Sequence, residues 1–358
     1  MSSKKIKAFG LDISDSSIKV MQLVYAHGRL ASIPFTDSPL SEQVVNNHMI
    51  ISEDRLADNI LRAIAAARKI DTKFVVCSVP EAKSFVRTLT IPKMAESEIG
   101  TALPFELEQD IPVPVDQVYL DWQIIKDGGD KLEVLAHATP KDYIDALVSS
   151  LRKAKLVPVA MELESQATAR ALISRDLATK SVLIVDPATK LTSFIIVDNG
   201  IIQYTSSIPI AGNAFTESIS RNLGVTAPQA EKMKQELGLT GDKGLEVRKA
   251  ILPILDNLVD EIKNVIRFFE EHETTHKSID TILLCGGSAK LTGIAEYISD
   301  RLNLGSVRSA AKVILADPWA NVAVDPKIPV PLDRLSALGY TTVIGLALRG
   351  VNFNEYSI

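Results

Sequence analysis

A chain of 358 residues, 46% hydrophobic and 23% charged, is long enough to bury sizeable cores in two or three domains. Its formal net charge of −5 lacks the basic surplus that nucleic acid requires of a partner, and two cysteines exclude a disulfide framework and fit a reducing cytosol. Met1-Ser2-Ser3-Lys4-Lys5 runs straight into a strand, and no apolar run reaches the roughly 18 residues of a membrane span, so neither secretion nor direct membrane insertion is expected.

Residues 6–13 read as an apolar strand that enters the polar turn Ser14-Asp15-Ser16-Ser17 and returns through Ile18 and Lys19. Asp12 stands at the strand end, where a carboxylate reaches a hydrated cation. The N–H groups and hydroxyls of Ser14, Ser16 and Ser17 suit oxygen anions, and Lys19 is a candidate counter-charge for phosphate. A hairpin with a polar turn and no ligand is the plainer alternative. Ala26-His27-Gly28 closes this unit. After a loose segment, 32–51, Ser52 starts a helix with Leu56, Ile60, Ile64 and Ala67 on one face, and residues 73–79 form a buried strand. An α+β module follows from about Ser84. Its elements are strand 85–91, a helix over 95–110 interrupted at Pro104, strands 119–125 and 132–137, and helix 140–153.

A helix rich in small residues is expected over 165–178. The opening pattern then returns: Val182-Leu183-Ile184-Val185-Asp186 is again an apolar strand ending in Asp, followed by Pro187-Ala188-Thr189-Lys190, a second strand over 194–197 and the turn Asp198-Asn199-Gly200. Helices over 214–222 and 228–237 precede a long one over 246–272, striped by Ile251, Leu255, Leu258, Ile262, Val265 and Phe269. Residues 279–285 form a strand that opens onto Gly286-Gly287-Ser288, where missing side chains let the backbone approach a ribose or adenine. A helix starts near Thr292 and a final one spans 336–348. The tail 351–358 is too short and uncharged for an amphipathic anchor.

The two Asp turns together with Leu284-Cys285-Gly286-Gly287-Ser288-Ala289-Lys290-Leu291-Thr292-Gly293 resemble the phosphate and adenosine motifs of the actin-like, sugar-kinase and heat-shock ATPase superfamily. Within it the chain is similar to the PilM family of type IV pilus assembly. Glu162-Leu163-Glu164-Ser165-Gln166-Ala167, Ala230-Glu231-Lys232-Met233-Lys234, Asp317-Pro318-Trp319-Ala320-Asn321 and Gly345-Leu346-Ala347-Leu348-Arg349 carry the likeness over nearly the whole chain.

The resemblance implies a two-lobed α/β protein built from a ribonuclease-H-like duplication. Subdomain IA would be 1–84 and 159–180, with the helix 336–350 packing back on it. The insert IC, shared with the bacterial cell-division actin homologue, would be 85–158, IIA would be 181–212 and 276–335, and helical IIB would be 213–275. It implies ATP and Mg2+ as cofactors, with Asp12 and Asp186 holding the metal through water. Ser14, Ser16, Ser17, Lys19 and Thr189 would face the phosphates, and Glu231, Lys234, Gly286, Gly287 and Ser288 the adenosine. Glu164 is the candidate for orienting an attacking water, with Glu162 and Gln166 beside it. The partners implied are the cytoplasmic N-terminal tail of a PilN-like membrane protein, lying between IA and IC, and other pilus platform proteins. Self-association stays open. The place implied is the cytoplasmic face of the inner membrane, held through partners.

Some residues depart from the family. Ser14 stands where Gly is usual, and Asp15, in place of Ser or Thr, would face phosphate oxygens unless a cation lay between. Pro187 removes a backbone donor from the second turn, for which hydroxyls at Thr189, Thr192 and Ser193 would compensate in part. An active ATPase or a sugar-kinase-type phosphotransferase of the same fold is the main alternative. A remote one is a zinc peptidase through His272-Glu273-Thr274-Thr275-His276 with Glu296, although a His pair at a helix C-terminus also suits the helix dipole. His27, His48 and His137 have no sequence partners that suggest a triad.

Overall fold

The apolar run ending at Asp12 forms β1 (Phe9–Ile13), buried at every position, and the chain turns back as β2 (Ser17–Met21). The structure, a computed structural model, describes residues 5–26, 29–108, 111–272, 277–303, 311–323, 330–351 and 353–354. His27 and Gly28 of the first closing turn lie outside them. The segment expected to be loose holds β3 (Phe35–Pro39), antiparallel to β2, and a short ribbon of Val45–Asn46 with Met49–Ile50. No position of β3 is fully buried, so it carries no apolar alternation to read. Ser52 caps α1 (Glu53–Ala67), which buries Leu56, Ile60 and Ala63 in the first core, and β4 (Phe74–Val79) pairs parallel with β1.

β5 (Phe85–Pro92), α2 (Glu96–Leu107), β6 (Val118–Asp127) and β7 (Lys131–Pro140) build the inserted module: an antiparallel sheet of order β5-β7-β6 over its own core of Ile91, Ile99, Leu103, Leu132 and Val134. α2 runs through Pro104, where an interruption was expected. The stripe Ile99, Leu103 and Leu107 is packed on both sides of the proline and holds the helix across the lost hydrogen bond. α3 (Lys141–Lys153) leaves the module and buries Tyr143, Leu147 and Leu151 in the first core. β8 (Val157–Leu163) completes a five-stranded sheet of order β8-β4-β1-β2-β3.

α4 (Glu164–Leu172) ends six residues short of its expected end at 178. Asn321 Nδ2 donates to the carbonyls of Arg170 at 2.9 Å and Ile173 at 2.8 Å, which closes the helix from outside. Then follow β9 (Ser181–Pro187), β10 (Thr192–Asp198), β11 (Ile201–Ile208), α5 (Gly212–Leu223), α6 (Ala227–Leu237), α7 (Gly241–His272), β12 (Thr281–Leu284), α8 (Ile294–Asn303) and β13 (Lys312–Leu315). The second sheet has the order β11-β10-β9-β12-β13. Its central strand pairs antiparallel on one side and parallel on the other, as β1 does in the first sheet. This is the duplication expected from the repeated Asp motif.

The chain divides into two compact units. One is drawn from Met1–Thr168, Ala323–Val330 and Thr342–Ile358, the other from Ala169–Val322 and Pro331–Thr341. The final helix is in two pieces, α9 (Arg334–Ala337) and α10 (Thr341–Val351), joined by a tight turn. The Gly286 N–H takes the Leu338 carbonyl at 2.8 Å, the acceptor a continuous helix would give to residue 342. In the first unit α10 approaches its neighbours backbone to backbone. A Cβ at Gly10 would stand 2.7 Å from the Ala347 nitrogen, one at Gly345 1.8 Å from the Ala167 carbonyl, and one at Gly350 2.3 Å from the Ala8 carbonyl. Gly345→Ala weighs two effects: alanine gains about 1 kcal/mol in helix propensity, but a clash against backbone has no rotamer to relieve it and costs roughly 3 kcal/mol. Net destabilisation is expected, read as an earlier urea midpoint with α10 loosened in hydrogen exchange.

Candidate functional site

In the first unit the β1–β2 register sets Asp12 directly opposite Lys19, which puts both on one face of the sheet, with Ser17 two residues from Lys19 on that face. Asp12 is 7% exposed and its Oδ1 is buried without a hydrogen-bond partner. A carboxylate oxygen in that state suits a hydrated cation. Lys19 Nζ donates to Ser17 Oγ at 3.2 Å. Beneath lies Cys77, whose thiol is pushed up by burial and then by the Asp12 charge, so it is inert as a nucleophile.

The turn differs from the expected anion cradle. Ser14 Oγ accepts the N–H groups of Ser17 at 3.1 Å and Ser16 at 3.4 Å and donates to the Ser17 carbonyl, so its own hydroxyl satisfies the turn's donors. Asp15, expected to face phosphate oxygens, also has a partner inside the fold. It is buried, and its Oδ1 accepts the His48 N–H at 2.7 Å, tying the turn to the 45–50 ribbon.

In the second unit Asp186 ends β9 and pairs with Ser193 of β10. Gly286 follows the parallel strand at φ +82°, and a Cβ there would stand 2.1 Å from Asp186 Oδ1, so only glycine lets the loop pass the carboxylate. A Cβ at Gly287 would meet open space. Ser288 Oγ donates to the Ala188 carbonyl at 3.0 Å. The turn after Pro187 is closed by Ala188 N–H on the Leu191 carbonyl, and the Thr189 carbonyl accepts the Asn213 N–H. Thr192 is buried and its hydroxyl donates to the Ile210 carbonyl, so it does not compensate for the proline.

Glu231 and Lys234 are more than a surface pair. Lys234, 8% exposed, donates to Glu231 Oε2 at 2.6 Å, Thr216 Oγ1 at 2.8 Å and the Gly212 carbonyl at 3.1 Å. A Cβ at Gly212 would stand 2.6 Å from Ser288 Oγ, so this glycine lets α5 meet the Gly286–Ser288 loop. Gly212 and Thr216 were missed in the sequence. The signal was a glycine opening a helix directly after the strand ending at Ile208. Cys285 is buried, and its thiol is raised by burial and by Asp186.

Of the carboxylates near α4, Glu162 is 2% exposed and paired with Arg349 at 3.0 Å, which takes it out of any water-orienting role. Glu164 Oε2 accepts the Glu81 N–H at 3.4 Å, and Ser165 donates to Glu81 Oε1 at 3.1 Å. A polar seam continues to the module: Ser84 and Thr139 hydroxyls meet at 2.8 Å, and Gln166 Nε2 lies 3.4 Å from His137 Nε2. His137 is buried, with Nδ1 lacking a partner, and burial pulls its pKa down against the Asp121 charge. For the zinc alternative, His272 ends α7, while Glu273 to His276 lie outside the described residues. Among the described residues no three His, Cys, Asp or Glu side chains are grouped for a metal.

Residues 10–351 match the family described as type IV pilus assembly protein PilM. The chain is 22% identical over 307 residues, 74% of each chain, to cell division protein FtsA of Neisseria meningitidis serogroup B. Among solved structures it is similar to a PilM-PilN type IV pilus biogenesis complex, with TM-score 0.83 and 25% identity over 97% of this chain and 99% of that one. MreB 5 of Spiroplasma citri bound to AMPPNP gives TM-score 0.56 at 14% identity over 97% and 96% of the two chains, a likeness of fold alone. The fold is actin-like.

The Glu231 pair has a pH signature. Burial raises this carboxyl, but the Lys234 ammonium and Thr216 hydroxyl that donate to it outweigh burial and hold it below the ordinary glutamate value. Stability from a lowered carboxyl is present above its unfolded value of about 4.3 and lost as pH falls through the folded one. The gap in unfolding midpoint between wild type and Glu231→Gln should therefore narrow from pH 7 to pH 3. A gap that stays constant would show that the charge contributes nothing.

Proposed function

Because the chain belongs to the type IV pilus assembly protein PilM family, we propose that it is an actin-like, nucleotide-binding scaffold of a pilus inner-membrane platform that holds the cytoplasmic N-terminal tail of a PilN-like protein. The observation that carries this is the likeness, over 97% of the chain, to a complex of PilM with PilN. No described helix is long and apolar enough to cross a membrane, so in this reading the partner's span tethers the protein to the cytoplasmic face.

The tail's place, in this reading, is the seam between the inserted module and the first sheet. Its buried His137 Nδ1 lacks a partner, and the main chain of an extended peptide offers both donors and acceptors. Gln166→Arg, which pushes a charged chain into that seam, should weaken a PilN-like N-terminal peptide by at least about tenfold in calorimetric titration, with circular dichroism unchanged. Equal affinity for wild type and variant would remove the seam from the reading.

For the nucleotide, Asp12 of the first unit, with its unpartnered oxygen, fits a hydrated Mg2+; in the second unit Asp186 stands at the matching strand end, and the Gly286–Gly287 backbone with Lys234 and Glu231 fits a ribose or base. Ser14 has satisfied the first turn and Pro187 has closed the second, so phosphates would be held through the cation, Lys19 and Ser16 more than through turn amides. Bound Mg2+ would supply charge neutralisation. Any hydrolysis would fall to Glu164. Mg-ATP at a hundred times its Kd should stabilise the wild type by about 2.7 kcal/mol, and Asp12→Ala should abolish that shift. Equal shifts in both proteins would place the nucleotide elsewhere.

A further inference from the structure

The inserted module has an open cleft of about 490 Å3, floored by Ile111, Pro112, Val113, Pro114 and Val115 between Glu108 and Asp116. Three residues before Glu108, on the last turn of α2, Phe105 is 76% exposed, more than any other large apolar side chain described. An exposed aromatic one helical turn from a residue that lines a cleft of mixed polar and apolar character suits a protein-binding anchor.

Charge identifies the occupant. From Met94 to Ile125 the chain has no Lys or Arg, and Glu96, Glu98, Glu106, Glu108, Asp116 and Asp121 are all exposed. Among the described residues none of these six is in an ion pair. At the far end of the same module Asp127 is paired with Lys93 at 2.8 Å and Glu133 with Lys126 at 2.9 Å. The cation recorded at the cleft rim, Lys141, donates to the Asp116 backbone carbonyl and lies 5.6 Å above the Tyr119 ring, leaving the carboxylates unneutralised. The complement is a segment that alternates apolar side chains with Lys or Arg. Single-span proteins carry such a stretch on the cytoplasmic side of the span, as the positive-inside rule requires. A chain of net charge −5 approaching an anionic membrane gains from meeting that stretch first.

We propose that the Phe105 cleft docks the basic, membrane-adjacent stretch of the partner tail, with Lys or Arg against Glu106 and Glu108 and an apolar side chain beside Phe105. This rests on the reading of the chain as the holder of a PilN-like tail. The tail's far end would lie in the His137 seam and its basic end in this cleft, so one peptide would bridge two sites on the same unit.

The test uses the full chain and three synthetic peptides of the PilN-like tail: one stopping before its Lys/Arg stretch, one continuing through it, and the long one with Lys and Arg changed to Gln. At low salt the long peptide should bind about tenfold more tightly than the short one. That gain should vanish in the Gln peptide, in 0.5 M salt, in Phe105→Ala and in Glu106→Lys/Glu108→Lys, all of which should still bind the short peptide as the wild type does. Equal binding of long and short peptides, or a gain that survives in the variants, overturns the cleft proposal and leaves the seam reading standing. Failure of both peptides overturns both. If Phe105→Ala instead dissolves a concentration-dependent oligomer in sedimentation and leaves peptide binding unchanged, the cleft is a contact between copies and the proposal falls.

Discussion

A carboxylate placed at the end of a central, fully buried strand has to find a partner or remain neutral, because uncompensated charge away from water costs several kcal/mol. Asp12, near the end of β1, meets that condition with one buried and unpartnered oxygen, whereas Asp186, at the matching place on β9, is half-buried; each stands on a strand with an antiparallel neighbour on one side and a parallel neighbour on the other. A buried cysteine stands on the parallel side in both units and offers no charge: the Cys77 and Cys285 thiols are held protonated by burial. After each carboxylate comes the turn, and the two turns have changed in different ways. In the first, Ser14 folds its hydroxyl back onto the backbone. In the second, Pro187 removes a donor and Gly286 makes room. In the proposed nucleotide site the cation side would be retained and the amide side weakened.

The first unit depends equally on close approach of backbone. Gly10, Gly345 and Gly350 are small because α10 lies directly on β1 and α4, and the Arg349–Glu162 pair locks the same contact at 3.0 Å. Glu162 is thereby structural, which separates it from Glu164 two residues later. The module is held otherwise. Its own core is apolar, and its junction with the first sheet is a polar seam with an orphaned imidazole nitrogen. A junction of this kind is a better place for an extended peptide than for permanent packing, since main-chain groups can satisfy what the protein leaves open.

The sequence by itself determined the repeated strand-turn unit, the separate α+β module and the identity of the two strand-end aspartates, because period-2 and period-3.6 apolar patterns and strand-turn motifs are local; that the repeat is actin-like came from the resemblance of its motifs to a known superfamily. It also determined the lack of positive charge around Phe105. Tertiary structure decided the rest. β3 was invisible because an edge strand that is nowhere fully buried has no pattern. Pro104 reads as a break until the packed stripe on both sides of it is seen. The end of α4 is set by Asn321, 149 residues beyond Leu172. The fates of Ser14, Asp15, Glu162 and Thr192 depend on which atom each hydroxyl or carboxylate meets, and for Asp15 and Glu162 that atom is far away in the chain. Gly212 and Thr216 joined the Lys234 cluster only when α5 and α6 packed together. Residue type shows what chemistry is available, and only the packed backbone shows which of those groups is already spent.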